Sequence, residues 1–538
     1  MRFVAAMLAL AAAALATAAP LQNERILLVP LDSRPAAGQF AYMIGRMASV
    51  DVKLPPYTQL GRFTQPGSPG AILQWLDSQD YRNIDAVVVS TDMIAYGGLI
   101  ASRVDDTTQS QAFHRLDVLA EIRRKHPSVK FYLFSAIMRL APTATRATAG
   151  WRLNLAKFEE MRDMATRTGN KEAQKSVQAL QAKIPQTEMT RYEAARSRNY
   201  EVMHRMLTMV AAGSFDYLLF GQDDAKPYGP HVGETINLKN TVNNLNLKEK
   251  VAFAEGIDQQ ANILLSRALL ARNNWSPAIR IVWSDEQGKD KVAQYETKPL
   301  EQSLAGQIAT SGAHLVSDQL EYDYTLYVNV PNRRSETFKD FLQSLTSEVD
   351  QGFPVGVADV DIGKDGTADP ELFGALYDQG RMPKLLAYAG WNTAGNTLGT
   401  SIPACNVYLL ARRLNKNPLQ REIAQREFLL HRFVNDYAYH KFTRPKAYAM
   451  IDASPKASRE ETYGEPFQQI DDFVRSDLAQ YLQEFWAQDF EGKKFFAGSK
   501  EYQLTELTDQ RVFLPWPRAY EVRLEFHMKA QPVASAGG

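Results

Sequence analysis

The chain has 538 residues and a single cysteine, Cys405, so no internal disulfide can form. The same scarcity excludes thiolate zinc sites, redox cysteine pairs and iron–sulfur clusters. Within Ser-Ile-Pro-Ala-Cys-Asn-Val-Tyr, Cys405 reads as a small buried hydrophobe rather than a nucleophile. Net charge is also missing: 61 basic residues face 61 acidic ones, and no basic tract exceeds Arg123-Arg-Lys125. Nucleic acid is therefore not an expected partner. Beyond the amino terminus no run reaches the roughly 18 apolar residues of a membrane span, so the mature chain is expected to lack a transmembrane segment. Neither His-Glu-x-x-His nor closely paired histidines occur, and the first strand carries no dinucleotide-type glycine fingerprint. The sequence nominates no metal and no cofactor.

What is present begins with Met1 to Ala19: one early charge at Arg2, a short apolar run, and Ala16-Thr-Ala18 ahead of Ala19-Pro20. This pattern reads as a secretory signal peptide over residues 1–19 and implies a periplasmic or secreted protein. Apolar runs then recur at Ile26, Ile84, Val129, Tyr217, Ile279, Tyr324, Pro354 and Leu385, with a weaker one at Val52, and helical spacing separates them. Strand–helix alternation of this kind predicts a parallel sheet covered on both faces. A count near eight, with polar residues closing most of the runs, favours an α/β (β/α)8-barrel-like sheet, with an open doubly wound α/β sheet as the alternative. The expected organisation is a barrel-like catalytic domain over 20–400 with a helical insertion at about 145–211. A mostly helical region follows over 401–528, with one edge strand at Arg511 to Phe526, and 529–538 is a loose tail. No internal repeat is visible.

The chemistry centres on Phe215 to His231, where an apolar strand empties into adjacent Asp223 and Asp224 and then a Pro/Gly loop. Such a pair can divide labour as proton donor and ionised partner. The structural alternative is a helix cap with a salt bridge to Lys226. Asp32, Asp92, Asp285, Asp359 and Asp361 occupy equivalent strand ends, and Arg34, Arg103 and Arg139 supply positive partners. Trp391, Asn392, Thr393 and Asn396 offer an aromatic platform beside amides, suited to a hydroxylated ring; the alternative is a turn holding a packed tryptophan. The candidate catalytic residues are Asp223 and Asp224, and the candidate substrate-binding residues are Asp32, Arg34, Asp92, Arg139, Trp391, Asn392 and Asn396. Ser33 in Leu-Asp-Ser-Arg is a possible esterase nucleophile, but Asp436-Tyr-Ala-Tyr-His440 is one residue too long for the usual Asp-x-x-His, and no Gly-x-Ser-x-Gly occurs. Asp359 to Gly366 superficially resembles a calcium loop without its closing glutamate.

Leu31-Asp-Ser-Arg-Pro35, Asp92 with Tyr96-Gly-Gly-Leu, Gln222-Asp-Asp224, Gly390 to Gly399 and Leu514-Pro-Trp516 together resemble the bacterial family of domain of unknown function 4127, over roughly residues 25 to 525. That resemblance implies no established activity. It does imply an acidic residue after Gly256-Ile-Asp258, where Gln259 stands. The adjacent aspartates are also similar to the pair in O-GlcNAcase-type hexosaminidases, which implies that Asp223 orients the substrate while Asp224 transfers protons. The leading expectation is a hydrolase acting on a glycan or amino-sugar compound by carboxylate acid/base catalysis. The alternatives are a non-catalytic sugar-binding protein and a serine esterase using Ser33. The expected partner is a small-molecule or oligosaccharide substrate.

Overall fold

The computed structural model describes residues 24–317, 321–331, 336–363 and 366–534, so the signal peptide expected over 1–19 lies outside the described residues. The first half of the chain runs β1 (Arg25–Val29), α1 (Pro35–Met47), β2 (Asp51–Lys53), β3 (Ala86–Ser90) and β4 (Lys130–Ile137). Three helices of the insertion follow, α2 (Arg152–Thr168), α3 (Lys171–Gln181) and α4 (Gln186–Ala211), before β5 (Tyr217–Gln222) and β6 (Val251–Glu255). The six strands form one sheet in the order β2-β1-β3-β4-β5-β6, every pair parallel. Strands buried on both faces are the reason these segments read as unbroken apolar runs: Ile26, Leu28 and Val88 enter one core, while Leu27, Val29, Val87 and Val89 enter another on the opposite face.

The second half opens with α5 (Gln260–Arg272) and then builds β7 (Ala278–Trp283), α6 (Leu300–Ser311), β8 (His314–Leu315), β9 (Tyr324–Asn329), β10 (Val355–Asp359), β11 (Ala387–Ala389) and α7 (Ala394–Arg413). Its five strands form a second parallel sheet in the order β11-β10-β9-β7-β8. Counted from its own first strand, each sheet runs second, first, third, fourth, fifth, and the first sheet adds a sixth strand. The same winding thus occurs twice in a chain whose sequence shows no repeat.

The barrel is not confirmed. No closed sheet is formed among the described residues, because β7 pairs with β8 and β9 instead of continuing from β6. Alternation of strand and helix is common to closed and open sheets, and only the long-range pairing separates them. Helices from both halves pack together in the layer between the sheets: α5 lies on β3 and β4, α7 lies on β10 and β11, and the two helices meet each other and α1. One core therefore joins Ile26 and Val88 of the first sheet to Leu326 and Ala358 of the second through Leu264, Ile402 and Cys405.

After α7 come α8 (Pro418–Phe433), a π-helical stretch over Val434–Thr443, α9 (Arg444–Asp452) and α10 (Gly464–Asp489). The chain then forms an antiparallel sheet of β12 (Lys494–Ala497), β13 (Lys500–Phe513) and β14 (Arg523–Pro532). The single edge strand expected over Arg511 to Phe526 is thus the end of one strand, a loop over 514–522, and the start of another. Pro515 and Pro517 lack the N–H that a ladder needs, and they force the break. Lys529 to Pro532, expected as loose tail, complete β14 against β13, while 535–538 lie outside the described residues. No helix among the described residues is long and apolar enough to cross a membrane.

Candidate functional site

Asp223 and Asp224 leave the end of β5 in a fixed geometry. The Asp223 backbone N–H donates to Ile137 O at 3.1 Å, extending the β4–β5 pairing one residue past the strand. Its side chain receives Arg103 Nη2 at 2.5 Å, with both side chains 5% exposed, and its Oδ1 accepts from Asp224 N at 2.9 Å. Asp224 turns outward, 40% exposed, and receives Arg139 Nη1 at 3.0 Å. Arg139 follows β4 and is held by donating from Nε to Ala141 O at 2.7 Å. Lys226, the salt-bridge partner of the structural alternative, makes no ion pair among the described residues; arginines take both aspartates. Burial pushes the Asp223 pKa up, but Arg103 and Arg139 outweigh it and hold the carboxyl below its ordinary value. Burial and the Asp223 charge hold Asp224 above its ordinary value, against the pull of Arg139. Of the two, Asp224 is therefore the more readily protonated.

The facing wall comes from the ends of β1 and β6. Asp32 and Arg34 follow β1, beside the point where the strand order reverses, and open parallel sheets have their crevice there. Arg34 Nη2 lies 2.7 Å from Asp32 Oδ2 and 2.7 Å from Asp258 Oδ1, so it bridges the two strand ends. Burial alone would lower the Arg34 pKa, yet Asp258 and Asp32 hold it well above the usual value. Its guanidinium sits 4.9 Å from the ring centroid of Trp516, a fully buried residue of the 514–522 loop. Trp516 Nε1 donates to Ser33 Oγ at 2.9 Å, and Ser33 is 2% exposed. Asp436, the acid that the esterase alternative pairs with His440, instead lies 3.2 Å from Arg432 Nη1 and accepts from Gly390 N at 2.9 Å.

A third wall starts at Asn392, whose φ of 58° is left-handed, a conformation that asparagine tolerates better than most residues. Its Oδ1 accepts from Tyr520 OH at 2.7 Å and its Nδ2 donates to Asn396 Oδ1 at 2.8 Å. Asn396 Nδ2 donates in turn to Gln259 Oε1 at 2.8 Å, and Gln259 Nε2 to Glu255 O at 2.7 Å. Gln259 thus relays between two partners and uses its N–H donor, which the expected acidic residue could not supply when ionised.

Together these walls enclose a cleft of about 680 Å³. Of the residues nominated from sequence, Arg34, Arg103, Arg139, Asp223, Asp224 and Asn392 line it; Asp32, Asp92, Trp391 and Asn396 do not. Asp92 is 2% exposed and its Oδ2 accepts from Ala136 N at 2.9 Å, tying the residues after β3 to β4. Burial pushes its pKa up to about 7. Trp391 is 8% exposed, donates from Nε1 to Thr400 Oγ1, and meets Phe40 edge-on at 5.5 Å; it is a packed tryptophan, and the rings that line the cleft are Tyr295, Trp516 and Tyr520. Asp359 lies in the second sheet, away from the cleft, where Asn329 Nδ2 and Asp369 N donate to it; residues 364 and 365 of the calcium-like loop lie outside the described residues. Sequence reasoning did not place Asp258, Trp516, Arg518 or Tyr520 at the site. The signal for the last three was Leu514-Pro-Trp516, a motif of an aromatic between prolines with no core periodicity.

A family model described as "Protein of unknown function (DUF4127)" matches residues 26–525. The chain belongs to the DUF4127 family. The DUF4127 match starts inside β1 and ends inside β14, so it takes in both parallel sheets, the insertion helices and the 514–522 loop. No curated protein and no solved structure matches the chain.

Proposed function

We propose that this protein is a hydrolase of glycans or amino-sugar compounds, working in the periplasm or outside the cell, with Asp224 as general acid/base and Asp223 as its polarising partner. The observation that carries this reading is the asymmetry of the pair: one carboxyl is clamped and ionised by Arg103, while its neighbour is more exposed and more readily protonated. In the first step Asp224 gives its proton to the departing glycosidic oxygen as the bond to the anomeric carbon breaks, and the Asp223 anion stabilises the positive charge that develops. Asp224, now ionised, takes a proton from the water whose oxygen bonds to the sugar, which restores the starting state. Arg34, Asn392 and Tyr520 present donors and acceptors to the substrate hydroxyls. The signal-peptide pattern of residues 1–19 supports the location.

The Asp224–Arg139 ion pair favours a second reading, in which both aspartates stay ionised and the cleft only binds sugar. Release of reducing ends from a panel of sugars and amino sugars, measured beside calorimetric binding, separates the two. For Asp224→Asn the expected outcome is a loss of turnover of about a hundredfold or more with affinity nearly unchanged. Retained turnover would remove Asp224 from the role, and binding without turnover by the unaltered protein would establish the second reading.

A further inference from the structure

The cleft wall carries eight Lys and Arg side chains against five Asp and Glu. Its carboxylates are all engaged. The three aspartates are matched by the arginines described above, Glu160 holds Lys157 at 3.1 Å, and Glu460 accepts from Ser458 Oγ at 2.5 Å. Two further cations are drawn outward, Arg459 to Asp452 and Arg518 to Glu521 at 2.9 Å. Arg152 and Lys226 remain, and among the described residues neither side chain has an ion pair or hydrogen bond. Arg152 sits in the first turn of α2, at the positive end of that helix, and Lys226 in the loop that follows Asp224, so the two come from different parts of the chain to one cavity. Burial and the charge of Arg139 disfavour the half-buried Arg152 guanidinium, Glu460 across the cleft wall offsets them only in part, and an anion arriving from solution supplies the close partner it lacks.

We infer that the cleft takes a sugar bearing a carboxylate or phosphate, and that Arg152 and Lys226 receive the anionic group. This rests on the glycan reading above and adds the charge class of the substrate. The guanidinium fork of Arg152 matches either anion with two N–H groups, while Lys226 adds a mobile point charge close to the acid/base pair. Neutral sugars lose this contact and leave Arg152 with only the partial compensation of Glu460.

Matched pairs of ligands test it: N-acetylmuramic acid against N-acetylglucosamine and glucuronic acid against glucose for the carboxylate, glucose 6-phosphate against glucose for the phosphate. Calorimetric affinities at low and high salt are measured for the mature protein, Arg152→Gln and Lys226→Gln, with melting temperatures as a folding control. The charged member of a pair is expected to bind about tenfold tighter or better, with the preference shrinking in salt and collapsing in Arg152→Gln while neutral-sugar affinity holds. The arm that shows the preference names the anion. Equal affinities within every pair, or a preference that survives both substitutions, would overturn the inference. A charged-sugar preference in a protein that turns nothing over leaves the inference standing and removes the hydrolase reading; turnover confined to neutral sugars does the reverse.

Discussion

Burial raises the pKa of a carboxyl wherever no cation answers it, and the aspartates of this protein illustrate both outcomes. Asp223 has Arg103 at 2.5 Å and is held down; Asp92 accepts from Ala136 N at 2.9 Å but makes no ion pair among the described residues, and burial pushes it up to about 7. An aspartate with an unfolded pKa of about 4 and a folded value near 7 keeps a proton in the native state that the unfolded chain has released, so its contribution to stability falls as pH rises through that window. Asp92→Asn keeps an acceptor for Ala136 N and removes the titration. Urea midpoints measured from about pH 5 to about pH 8 should therefore fall less steeply in Asp92→Asn than in the unaltered protein, and parallel slopes would show that Asp92 is not the group responsible. At this scale the sequence disclosed the residues that leave a strand beside a recognisable turn, such as Asp223, Asp224 and Arg34. It hid Asp258 and Tyr520, because their importance lies in partners more than a hundred residues away, Arg34 and Asn392.

Among elements, one close approach that shapes the core is between α7 and β10. A side chain at Gly356 would place its Cβ 2.5 Å from Cys405 Sγ and 3.3 Å from Leu326 Cδ1, so the helix can lie on the strand only because this position is glycine. Gly356→Ala is expected to cost about 1–3 kcal/mol through overpacking, and Gly356→Ala with Cys405→Ala should recover part of it, as a denaturation cycle would show; strict additivity would mean that the two residues do not collide. The strands themselves were legible because both faces are buried and every residue of Ala-Val-Val-Val-Ser in β3 is apolar or small. The carboxyl-terminal sheet was not. β13 reads Lys-Glu-Tyr-Gln-Leu-Thr-Glu-Leu-Thr-Asp-Gln-Arg-Val-Phe, with one face open to solvent and two register shifts, and its alternation is broken accordingly.

On the scale of the whole molecule, two open sheets of the same winding share one helical layer, and the cleft draws its walls from the strand ends of the first sheet, the insertion, the turn before α7 and the 514–522 loop. Whether alternating strands close into a barrel or split into two sheets depends on which edges pair, and neither composition nor periodicity encodes that choice locally. The polar strand ends were visible all the same, because both architectures place them at the carboxyl edge. The central claim is that Asp224 works as an acid because the charge of Asp223 stands beside it. The pH dependence of glycan turnover in the unaltered protein and in Asp223→Asn tests this most directly. The account predicts that losing the neighbouring charge lowers the Asp224 pKa and moves the alkaline limb of the profile, where the acid's proton is lost, to lower pH. An alkaline limb that stays in place, or moves to higher pH, would contradict it.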